Sequence, residues 1–268
     1  MCDKQLDLFT FRASHHERLS PEAARNLPTA APTLDDPALI AAIPAAGLAD
    51  ALALAAEAGS RKLASAVPAL EGLCNRFTGF GADRPVPEQI AAVQALAAIG
   101  GPGAAQAVAR LLTRKVILGP GLKVAVGAAA QLKSNLPPAV LFALLRHDDP
   151  SVRAIACCCT RAIPEILSVL IDLLEDLHEP VAIAAALALG RMSRPEARPL
   201  LLRLLLTAPT EEAIATAAEV ADEECIVLIG RIARTVPALT AAALDALGAI
   251  DNPLAARLRA FSLRTEVG

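Results

Sequence analysis

PAVLFALLRH (138–147), then Asp148-Asp149-Pro150, then SVRAIACCCTR (151–161): the reading of this stretch decides the fold. Each flank sets apolar residues at helical spacing. The Asp-Asp-Pro between them is a stop and a restart, because proline fixes φ and lacks only an N–H that a first helical turn leaves unused. The design returns at once. Glu165 to Leu177 precedes His178-Glu179-Pro180, which precedes VAIAAALALGR (181–191). Superposing Val152 on Val181, 29 positions further on, puts Cys157 opposite Ala186 and Cys159 opposite Ala188. Further out, the helices ending AAIG (97–100), LALG (187–190) and ALG (246–248) share a terminal glycine at separations of 90 and 58. Those are three and two units of about 30 residues, a repeat-protein period. The intermediate helix ends are expected near Lys133, Arg161 and Ala221.

Composition agrees. Of the 268 residues 54% are hydrophobic and 20% charged, which excludes a disordered chain. There are six Phe but no Tyr or Trp, and the bias is to Ala and Leu, against the β-branched and aromatic habit of sandwiches and barrels. A net charge of −3 argues against a protein living on phosphate backbone alone. The longest charge-free window, Gln89 to Ala109, is long enough to span a bilayer, but it carries Gln89, Gln94 and Gln106 and is cut by Gly100-Gly101-Pro102-Gly103. Two helices and a turn describe it better. No basic-then-apolar leader follows Met1, and the six Cys have no paired CxxC spacing, so a reduced, cytoplasmic protein is expected.

The helical pairs resemble HEAT repeats. Asp149-Pro150-Ser151-Val152-Arg153 is similar to that family's Asp-Pro-x-Val-Arg turn, and ALG at 188–190 and 246–248 to its second-helix ending. The resemblance covers about 36–264. It implies an all-α, right-handed α-solenoid of about seven helix pairs and a terminal helix, with residues 36–268 as the repeat domain. The resemblance says little about activity; with no catalytic motif in the sequence, a non-enzymatic protein–protein interaction scaffold is the leading expectation. Only one unit keeps the full Asp-Pro-x-Val-Arg, so the family's Asp/Arg ladder is expected in fragments. A lone pair of helices leaves one face bare, and stacking covers it, small Ala residues permitting close approach.

Residues 1–35 read differently, as a flexible N-terminal arm with a short helix started by Ser20-Pro21-Glu22. Within it Gln5-Leu6-Asp7-Leu8-Phe9 resembles the bacterial sliding-clamp-binding pentapeptide. That resemblance implies a Gln amide hydrogen-bonded at a polar subsite, with Leu8 and Phe9 filling an apolar pocket on the replication clamp. Arg12 follows Phe11 where a eukaryote-type box wants a second aromatic.

Charge is uneven. From Gly101 to Arg161 eight bases (Arg110, Arg114, Lys115, Lys123, Lys133, Arg146, Arg153, Arg161) stand against Asp148 and Asp149; from Ala162 to Glu224 four Arg stand against twelve acids. A basic stripe along the middle repeats is a candidate nucleic-acid contact, giving DNA binding or repair as the alternative function; arginines capping helix ends explain the same residues. The chain lacks the Trp and Tyr with which HEAT-like alkylpurine glycosylases grip a base. Three consecutive Cys at 157–159 fan over about 200° of a helix, so they cannot converge on one ion. They read as core filler. His15 and His16 read as solvated loop. No phosphate loop, Gly-x-Ser-x-Gly elbow or His-Glu-x-x-His occurs, and no catalytic residue, metal or cofactor is called for.

Overall fold

The computed structural model describes residues 34–265, and every regular element among them is helical. The α-helices are α1 Asp36–Ala42, α2 Leu48–Ser60, α3 Val67–Asn75, α4 Pro87–Ile99, α5 Gly101–Thr113, α6 Pro120–Gln131, α7 Pro138–Leu145 and α8 Pro150–Cys157. They continue with α9 Pro164–Asp172, α10 Glu179–Gly190, α11 Arg198–Thr207, α12 Glu211–Ala218, α13 Glu223–Thr235, α14 Thr240–Ala249 and α15 Pro253–Thr265. Consecutive helices pair as hairpins from α1/α2 to α13/α14, and α15 closes the row against α13 and α14. Even-numbered helices pack in an unbroken series, α2 on α4 through α12 on α14. The odd-numbered row is joined closely at α3/α5, α7/α9, α11/α13 and α13/α15, but only sparsely at α5/α7 and α9/α11. This is an all-α solenoid.

The helices start where the chain supplies a cap. Asp35, Asp149, Thr210 and Asp222 each accept a hydrogen bond from a first-turn backbone N–H, at 3.0, 2.7, 3.1 and 3.0 Å. Pro87, Pro120, Pro138, Pro150, Pro164 and Pro253 open their helices at the position that needs no donor. Helix ends are less expected. At α2, α5, α6 and α10 the chain turns through left-handed residues that are not glycine: Lys62, Lys115, Lys133 and Ser193, with φ of 53°, 52°, 50° and 54°. The N–H just after each reaches back into the last helical turn, as Leu63 to Ala58 O and Ser134 to Ala129 O do. This Schellman closure satisfies carbonyls that would otherwise be orphaned.

One core runs the length of the molecule, from Leu39 and Ile43 through Leu70, Leu96, Leu111, Leu145, Leu170 and Leu189 to Leu247. Alanine lets the even row close up. In α10, Ala182, Ala184, Ala185, Ala186 and Ala188 are all buried, and Gly190 is needed there because a Cβ would collide with the Thr216 methyl of α12. The expected ends near Lys133, Arg161 and Ala221 fall at Gln131, Cys157 and Ala218. The second pair is longer than its neighbours, because residues 76–86 form an extended connection between α3 and α4. That loop is held from within. Gln89, the first-turn residue of α4, is 2% exposed, and its amide nitrogen donates to Cys74 O, Phe77 O and Val116 O at 3.1, 3.3 and 3.1 Å. Gln89 is therefore a buried bridge between the end of α3, the 76–86 loop and the α5/α6 connection.

Candidate functional site

Antiparallel hairpins stacked in register give the molecule two edges. One carries the loops within each pair, with the C-termini of odd helices and the N-termini of even ones; the other carries the connections between pairs. Gln5, Leu6, Asp7, Leu8 and Phe9, together with the Ser20 helix, Cys2, His15 and His16, lie outside the described residues.

The eight bases do not share one face. Arg110 and Arg114, at the end of α5, converge on Glu71 of α3 at 2.6 and 2.7 Å. The Arg110 hydrogen bond, with the positive charge of Arg114 beside it, holds the Glu71 carboxyl below its ordinary range. Arg153, in the first turn of α8, grips Asp176 with two nitrogens at 2.9 and 3.0 Å and donates to the carbonyls of His147 and Asp148 at 2.7 and 3.0 Å. Burial alone would raise Asp176; the hydrogen bonds donated by the Arg153 side chain and by the backbone N–H of His178 outweigh it and set the carboxyl below its usual value. Among the described residues that is the one full rung of the expected Asp/Arg ladder. Arg146 lies over the Phe142 ring, 4.4 Å from its centroid. Lys115 and Lys133 are the left-handed closing residues of α5 and α6, where a cation also meets the negative end of the helix dipole. Lys123 is exposed on α6, and Arg161 is exposed beyond α8. Lys133 and Arg161 sit on the between-pair edge; the other six belong to the hairpin-loop edge. Helix ending and pair-to-pair bonding account for most of the expected stripe.

The cysteines divide as well. Helix α8 ends at Cys157, so Cys158 and Cys159 continue in a turn. Cys157 and Cys159 are buried, as a packing role requires, but Cys158 is exposed, a correction to reading all three as core. Burial pushes the Cys74 and Cys159 thiols up to about 12 and that of Cys157 higher still, away from nucleophilic use. No group of three or more His, Cys, Asp or Glu among the described residues is placed to hold a metal ion.

Two surfaces remain. The between-pair edge has an open, mainly apolar groove of about 640 Å³ where the α4/α5 junction (Gly100, Gly101, Pro102) faces the end of α6 (Gln131, Leu132, Lys133, Asn135). The hairpin-loop edge exposes large apolar side chains: Leu48 at the start of α2, Phe80 in the 76–86 loop, Leu177 before α10 and Leu206 at the end of α11. Leu177 is 98% exposed. For Phe80 and Leu177 the signal is legible as apolar residues inside loops, whereas Leu48 and Leu206 lie within helices and share their apolar character with the core.

Residues 137–222, covering α7 to α12, match the family model for HEAT repeats. No curated protein matches the chain significantly. HEAT repeats typically serve as protein-interaction scaffolds, and no helix among the described residues is long and apolar enough to cross a membrane.

Proposed function

We propose that this protein is a non-enzymatic scaffold that holds a partner protein on its solenoid surface and is tethered to the bacterial replication clamp through Gln5-Leu6-Asp7-Leu8-Phe9. The observation that carries the scaffold reading is the uninterrupted even-row stack, with its HEAT-type segment at 137–222. Each pair there covers its neighbour and leaves an extended outer surface for contact. The tether rests on the pentapeptide's resemblance alone. A tether raises the effective concentration of the scaffold near the clamp without any new contact in the solenoid.

Titration of a peptide of residues 1–14 against purified clamp tests the tether, followed by the full chain with Leu8→Ala and Phe9→Ala. Saturable binding lost in the double variant supports it; no binding at high micromolar peptide overturns it. DNA contact by the middle repeats has less behind it, since Arg110, Arg114 and Arg153 are engaged with Glu71 and Asp176. A salt series of duplex affinity decides that alternative, because phosphate contacts release counterions and must show a slope.

A further inference from the structure

We propose that the hairpin-loop edge is self-complementary, and that a second copy of this chain docks on it antiparallel, about a twofold axis at the α7/α8 pair. The proposal goes beyond the scaffold reading and does not depend on it. Its basis is the order of charge and apolar residues along that edge. At the third pair, Lys115 and Lys123 are exposed and have no ion-pair partner among the described residues, and Arg110 and Arg114 share the single carboxylate of Glu71. The fourth pair is balanced, with Arg146 and Arg153 against Asp148 and Asp149. At the fifth, Asp172 and Glu175 are exposed without ion-pair partners among the described residues, next to Asp176 and Glu179.

Basic, balanced, acidic in equal steps is the pattern a twofold axis at its centre makes complementary. The third pair of one copy then faces the fifth pair of the other, twice. The apolar residues follow the same symmetry. Phe142, 40% exposed beneath Arg146, meets its own counterpart at the axis. Leu177 meets the aliphatic stems of Lys115 and Lys123. Phe80 of the second pair, 64% exposed, meets Leu206 of the sixth, 59% exposed. An isologous contact needs this self-matching, residue i to j and j to i, with apolar anchors inside a charged rim.

Sedimentation velocity of the full chain, at about 0.05 M and about 0.5 M salt on either side of effective charge screening, reads the association. A dimer at low salt that weakens at high salt is expected. Lys115→Glu with Lys123→Glu, or Asp172→Lys with Glu175→Lys, weakens the dimer about tenfold or more by setting like charges opposite each other. The chain carrying all four reversals regains it to within a few-fold. Independently, Phe142→Cys in a Cys158→Ser background cross-links to a covalent dimer under mild oxidation, beyond any linkage in Cys158→Ser alone. A monomer at about 100 μM and low salt, a fourfold reversal no tighter than either half, or a Phe142→Cys chain that does not cross-link overturns the proposal.

Discussion

Gly119 shows how much one residue can decide. It sits at φ 51° between α5 and α6, and a Cβ there would run into the carbonyl oxygens of Gly81 and Ala82. The 76–86 loop is thus clamped from two sides, by this close approach and by the buried amide of Gln89. Gly119→Ala must move backbone, not a side-chain tip, and is expected to cost about 2–4 kcal/mol in urea unfolding. The left-handed lysines give the opposite sign. Lys133 holds φ 50° at the end of α6 with ordinary side-chain sterics. Lys133→Gly should therefore stabilise by about 0.5–1 kcal/mol, the relief of a left-handed penalty less the added freedom of the unfolded chain. An unchanged or lower midpoint with an unchanged slope would place the closing strain elsewhere.

The hairpin is the scale on which the sequence was most legible. Asp149-Pro150 capping α8, proline opening one helix after another and the recurrence from Val152 to Val181 are local chemistry, and the structure repeats them. What local chemistry misses lies between hairpins. Helix ends closed by Lys or Ser instead of Gly leave no letter to search for. The 76–86 loop stretches the period, and Gln89 looks polar while serving a carbonyl at the end of α3 and one in each of two loops. Arg153 was legible as part of the Asp-Pro-x-Val-Arg turn, but its partner Asp176 lies in the next pair, where no matching motif announces it. This rung has a pH signature. The Asp176 carboxyl is 8% exposed and titrates below its ordinary value of 3.8. A lowered folded-state value means stabilisation that is complete above the unfolded value and is lost as pH falls through the folded one. Wild type should lose stability below about pH 4. Asp176→Asn should be weaker by about 1–3 kcal/mol at neutral pH and lose less than wild type on acidification; parallel acid limbs in chemical denaturation would refute the assignment.

Across the whole molecule, stability adds up pair by pair because each pair touches chiefly its neighbours. The central helices α8 and α10 are covered on both sides of the even row, whereas α1, at the end of the row, packs chiefly on α2 and on the adjoining turn, itself packed against α3. Amide exchange should accordingly be slowest in α8 and α10, with openings that become easier toward α1 and α15 by about 1–3 kcal/mol. Uniform protection from end to end would mean a single cooperative block, contrary to a linear stack.

The uneven joining of the odd row has a mechanical side. With the even row continuous and the odd row lightly fastened at α5/α7 and α9/α11, the molecule is a leaf spring: a stiff inextensible strip backed by plates that part at two places. Bending should concentrate at those two gaps, so that any change of superhelical pitch opens or closes two clefts while each hairpin keeps its internal geometry.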